Sequence, residues 1–132
     1  MVEQNKHIAR QFIGAFESAD TRTLERIVSE RLVDHNLAPG QRGGRQGLLD
    51  AVAMFRVAFP DLKITIEQLV ADEESAAVSG TIAGTQLGVL MGAPPTGKKA
   101  SFAYMDMYTI ANGQIVEVRH VEDIAGMMRQ LG

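Results

Sequence analysis

Near its C-terminus the chain reads Val116-Glu117-Val118-Arg119-His120-Val121-Glu122-Asp123, which gathers several ionisable groups beside apolar residues of strand type. Such a setting is where proton affinities can be tuned for acid/base work. An imidazole titrates near neutrality, so His120 can give or take a proton there. Side chains alternate along a strand, which puts Val116, Val118 and His120 on one face and Glu117 and Arg119 on the other. If the valine face lines a cavity, His120 points into it. Asp123 follows the strand and precedes Ile124, Met127, Met128 and Leu131, which are spaced for a short helix. Its carboxylate can cap that helix, act as an acid or base, or do both.

A second candidate set lies on the preceding strand, where Phe102, Tyr104, Asp106, Tyr108 and Ile110 share one face. This reads as a cavity wall with hydrogen-bonding tips. A buried aspartate needs a partner, and a tyrosine or His120 on the neighbouring strand can supply it. The other reading exposes Asp106 to solvent or a second subunit. Ala103, Met105 and Met107 form an apolar strip on the opposite face, adaptable enough for contact with another chain.

Other chemistries find less support. His7, His35 and His120 are scattered and there is no cysteine, so no metal-ligand spacing and no disulfide or thiol nucleophile is expected. Lys98-Lys99 follows a glycine-containing loop without phosphate-loop spacing. Sixteen acids against 13 bases, mixed along the chain to a net charge of −3, give no basic stripe for nucleic acid. Apolar runs fall short of the roughly 20 residues of a membrane span, and the N-terminus has no signal-peptide core. A cytoplasmic location is the default expectation.

The elements that must position these groups are legible from periodicity. The 132 residues, 45% apolar and 22% charged, suit one domain with one core. Ile8, Phe12 and Phe16 lie on one stripe of a helix over roughly 3–18. Asp20 can cap a second helix carrying Leu24, Ile27 and Val28. Gly- and Pro-rich residues 38–44 form a loop. Leu48, Val52, Phe55 and Phe59 mark a third helix that Pro60 stops. From Leu62 the period changes to that of strands, over 62–70, 76–86, 99–111 and 114–121, with Asn112-Gly113 as a hairpin turn between the last two. Helices followed by a strand meander predict an α+β domain: three N-terminal helices against a curved antiparallel sheet of four or more strands, cupping a pocket for an apolar small molecule.

Several segments carry a resemblance: Val33-Asp34-His35-Asn36, Gly84-Thr85-Gln86-Leu87-Gly88, Gly92 through Lys99, Asn112 through Glu117, and Asp123 with Arg129-Gln130-Leu131-Gly132. In these and in the order of its elements the chain resembles the SnoaL-like polyketide cyclases of the ketosteroid-isomerase-like, nuclear transport factor 2-like cone fold. The resemblance implies an intramolecular aldol closure of a polyketide ester without metal or cofactor, in which Asp123 is the general acid/base. It implies that His35 bonds a substrate carbonyl or enolate, unless it merely ends a strand at the pocket mouth. His120 could serve as a further base, and Tyr104, Asp106, Val118, Gln86, Phe55 and Phe16 would line the substrate pocket. It also implies a homodimer paired through the sheet. Many relatives have His-Trp-Asp where this chain has Val118-Arg119-His120, and histidine where Gln86 stands, so the polar lining is rearranged. The Arg-x-Asp pair that limonene epoxide hydrolases carry on a middle strand is Thr81-Ile82-Ala83 here. The same cavity would also suit a protein that holds an apolar ligand without chemistry.

Overall fold

A computed structural model describes residues 1–132. The helix α1 (Val2–Ser18) turns its Ile8, Phe12 and Ile13 stripe into the core and ends where Ala19 takes a left-handed conformation, φ 55°. Asp20 then caps α2 (Thr21–Ile27), accepting the backbone N–H of Thr23 at 3.2 Å and its hydroxyl at 2.7 Å. The expected second helix stops one residue early. Val28 is already extended and opens β1 (Val28–Asp34), a strand that periodicity did not reveal. After a loop come α3 (Gly44–Ala58), β2 (Lys63–Ala71), β3 (Ser75–Thr85), β4 (Lys99–Ala111), β5 (Gln114–Glu122) and α4 (Ile124–Leu131).

The strands form one curved, unclosed sheet in the order β1-β5-β4-β3-β2. Four of them make an antiparallel meander, while β1 joins the far edge parallel to β5. Its inward face carries Val78, Ile82, Phe102, Tyr104, Tyr108, Ile110 and Val118, buried with the apolar faces of α1, α2 and α3 in a single core. Burying each large side chain contributes about 2 kcal/mol. Helix α1 also ties down both ends of the edge strand β2. Asn5, itself buried, donates to the Asp72 carbonyl at 3.0 Å, and Glu17 accepts the Ile64 N–H at 2.7 Å.

Two local features set the inward face. A Cβ at Gly80 would lie 1.8 Å from the Thr65 carbonyl oxygen and 2.9 Å from the Tyr104 ring. Glycine there lets Tyr104 cross beneath β3 and donate to that carbonyl at 3.1 Å. The second is a bulge, since Ile110 pairs with Ile115 but Thr109 pairs with Glu117. The extra residue is Val116, so the alternation expected through Val116, Val118 and His120 is broken, and it is Ile115 that is fully buried. No helix is long and apolar enough to cross a membrane.

Candidate active site

Beyond the bulge, β4 and β5 pair in a register that sets Asp106 opposite His120, Tyr108 opposite Val118 and Tyr104 opposite Glu122. All six positions face inward. The parallel strand β1 adds Asp34 beside Val118. Asp34, Asp106, His120 and Glu122 therefore meet on one patch of the concave side, at the rim of the core.

His120 is held on both ring nitrogens. Nδ1 lies 2.7 Å from Glu122 Oε2, and Nε2 lies 3.1 and 3.2 Å from the two oxygens of Asp34. The hydrogen bond to Glu122, with the charges of Glu122, Asp34 and Asp106, outweighs burial and raises the imidazole to about 9. Near neutrality the ring is an imidazolium donating from both nitrogens. Its backbone N–H donates to Asn36 Oδ1 at 3.0 Å.

Asp106 meets the opposite balance. Burial pushes its carboxyl up to about 6, with Glu122 and Asp34 adding to the rise, while the Tyr108 hydroxyl and His120 work against it. Tyr108 donates to Oδ2 at 2.7 Å. The other oxygen makes no hydrogen bond, yet no enclosed side-chain polar atom lacks a partner, so Oδ1 is not fully enclosed. Burial and the adjacent Asp106 charge hold the Tyr108 hydroxyl well above its usual range, leaving it a donor. Tyr104 is raised by burial as well.

The other expected site residues sit elsewhere. Asp123 is exposed and caps α4, accepting the Gly126 N–H at 2.9 Å, and it bonds none of the inward groups. His35 lies one residue beyond Asp34 and bonds Glu117 at 2.9 Å on the outer side of β5, where both side chains are about one-third exposed at 35% and 36%. The His35 hydrogen bond is what holds the Glu117 carboxyl below its ordinary range. Gln86 is buried and binds a loop: it donates to the carbonyls of Gly88 and Pro94 at 3.3 and 3.2 Å and accepts from Thr96 at 2.9 Å. Phe16 and Phe55 are half-buried, their ring centres 5.9 Å apart, in a chain of aromatic rings that continues through Phe12 to Tyr108. Val118 is buried beneath the cluster.

Asp34 and Glu122 were not expected as site residues. The signal for Glu122 was present, since it shares His120's parity. Asp34 falls in a segment that carries the family resemblance, but no periodicity marked it as a site residue; it reaches the site through a pairing between the first strand and the last. No three His, Asp or Glu side chains are arranged to hold a metal ion. An open groove of about 520 Å³ runs over the outer face of the sheet between Val70, Met105, Met107, Arg119 and Val121, with inward-facing Val78, Asp106 and His120 forming part of its floor.

The helices packed on a curved, unclosed sheet are the fold of the family to which the chain is matched. The family described as SnoaL-like polyketide cyclase matches residues 6–131, and the chain belongs to that family. Among solved structures it is similar to TsrD from Streptomyces laurentii, at 25% identity and a TM-score of 0.89 over 98% of this chain and 96% of that one. It is also similar to IdmH from Streptomyces antibioticus, named as a candidate polyketide cyclase, at 28% identity and a TM-score of 0.84 over 98% and 99% of the two chains. A further likeness, to a protein from Bacillus cereus also named as a candidate polyketide cyclase, has 26% identity and a TM-score of 0.86 over 98% of this chain and 80% of that one. No curated protein matches the chain.

Proposed function

We propose that the protein is a cofactor-independent acid/base enzyme that moves a proton on an apolar ketone or ester, closing a ring by an aldol step or shifting a double bond. The observation that carries this reading is the cross-strand pairing of Asp106 with His120. Burial raises the carboxyl toward operating pH, where a base is most effective, and the flanking carboxylates keep the imidazole charged. Asp106 Oδ1 removes a proton from the carbon alpha to a carbonyl, and the His120 imidazolium donates to the enolate oxygen that forms. In the aldol case the enolate carbon attacks a second carbonyl carbon of the same molecule. The new alkoxide takes back one proton, so substrate and product are isomers. Tyr108 stays protonated and steadies Asp106. In this reading Asp123 serves the fold as a helix cap, and the acid/base role that the family resemblance gives it passes to Asp106 and His120.

The test is exchange of alpha protons in deuterated buffer with a panel of cyclic β-ketoesters and enones, using native protein, Asp106→Asn and Asp123→Asn. Label entering with the native protein and Asp123→Asn but not with Asp106→Asn is the expected result. Loss only in Asp123→Asn would return the role to that residue. Binding of the panel without any exchange would make the protein a holder of apolar ligands.

We also propose that two copies pair through the outer sheet face. Val70, Met105, Met107 and Val121 are all at least half exposed there, an apolar strip larger than scattered surface residues require. Light scattering should give a dimer for the native chain and a monomer for Met107→Glu.

A further inference from the structure

Resting on the acid/base reading above, we propose that Asp34 is a positioning residue of the reaction: it holds the Nε2–H of His120 before substrate binds and then releases it to the substrate oxygen.

The two hydrogen bonds on the ring are unequal. The one to Glu122 is short, at 2.7 Å, and goes to a single oxygen two residues along the same strand. The one to Asp34 is divided between two oxygens at 3.1 and 3.2 Å, at the long end for a charge-assisted bond. While both are made, the imidazolium has no N–H left for a ligand. One must be exchanged, and the longer, divided one is the weaker.

Asp34 is built to stay in place through that exchange. Its side chain is only 9% exposed. Its Oδ1 also accepts the backbone N–H of Asn36 at 2.8 Å, a turn that fixes the carboxylate independently of the histidine. The Asn36 side chain in turn accepts the backbone N–H of His120. The Asp34-His35-Asn36 segment thus grips His120 by its ring and by its main chain, with His35 turned to the other face. Around the ring stand Asp34 from β1, Glu122 from β5 and Asp106 from β4, the last bonded to Tyr108 with Tyr104 further along the same strand. No lysine or arginine bonds any of them.

Removing the Asp34 charge therefore acts on both reacting groups at once, since Asp34 raises both the imidazole and the Asp106 carboxyl. In Asp34→Asn the ring titration of His120, followed by nitrogen NMR in the ligand-free protein, should move acidward by about one pH unit or more. Where turnover is measurable, both limbs of the pH profile should move acidward together, kcat should fall roughly tenfold and KM should not rise. A residue with only a structural role would lower activity at every pH without moving the limbs. An unchanged His120 titration in a folded Asp34→Asn overturns the proposal. So does a native His120 Nε2 proton that exchanges with solvent as fast as that of exposed His7, a measurement that needs no variant to fold. Neither NMR readout depends on catalysis. Absent turnover with a shifted titration would sink the enzyme reading and leave the Asp34 contact standing.

Discussion

Strand β5 carries the same pairing of imidazole and glutamate on its two faces, and the two pairs behave differently. Outside, His35 bonds Glu117 at 2.9 Å with both side chains about one-third exposed. Inside, His120 bonds Glu122 at 2.7 Å, and two further carboxylates, Asp34 and Asp106, crowd the same ring. The bond lengths differ little, so the bond alone does not prepare a site for proton transfer. What differs is the setting: the surplus of negative charge joins the Glu122 hydrogen bond in holding His120 protonated against burial, while the loss of water keeps Asp106 close to its proton at the same pH. Histidine near glutamate is an uninformative pattern, whereas histidine near three partly buried carboxylates is an informative one.

The sharpest way to break that contrast is Asp106→Asn. Exchange activity should fall by about a thousandfold, within the range general acid/base catalysis supplies. The same variant should be more stable. Folding raises the Asp106 carboxyl from 3.8 to about 6, so the folded chain binds the proton more tightly than the unfolded one. Stability therefore declines as pH rises through that window, and the penalty is complete above it. Near neutral pH the neutral amide should recover about 2 kcal/mol, read as a higher denaturant midpoint at unchanged slope.

A second test sharpens the comparison through pH. The active form needs Asp106 ionised and His120 charged, so kcat/KM should rise through about 6 and fall through about 9. Each limb should approach roughly tenfold per pH unit. His120 also has a stability signature of its own. Its raised value stabilises the fold fully below the ordinary histidine range, and that contribution is lost as pH climbs through about 9. A flat profile across this span would remove the inner cluster's claim to be the reacting pair.

Smaller effects separate the cap from the chemistry. Asp123→Ala should cost about 1 kcal/mol, the usual worth of an N-cap, and leave exchange rates unchanged, whereas Asp123→Asn should cost almost nothing. Thermal unfolding and the exchange assay read the two quantities independently. Smallest of all, His35→Gln should change stability by about 0.5 kcal/mol or less and activity by less than about twofold, as expected of an exposed pair. A large loss of activity there would mean the two faces of β5 are coupled.

How much of this the sequence reveals depends on the range of the interactions involved. Helix stripes such as Ile8, Phe12 and Phe16, the cap at Asp20 and the Asn112-Gly113 turn are local, and each is found where periodicity and turn chemistry put it. Strand β1 was hidden because Val28 continues a helical spacing and the strand's only partner lies more than eighty residues away. The bulge at Val116 shifts parity without any glycine to announce it. Alternation put His120 and Asp106 each on a definite face of its strand without deciding which face turned inward, whereas Asp34 had no such signal, since only the parallel pairing brings it in. Gln86 was placed in the pocket by resemblance, although a buried amide with two donors and an acceptor suits a loop clamp equally well.

The parallel pairing of β1 with β5 has a consequence for biosynthesis. The helix pair α1 and α2 and the hairpin of β2 and β3 can each begin to form as soon as they leave the ribosome, because the contacts within each are close in sequence. Strand β1 has no strand to pair with until β5 has been made, and closing that long loop comes late in folding. The nascent chain must therefore carry an unpaired strand edge through most of its synthesis, and the acid/base cluster comes into being with the final docking event.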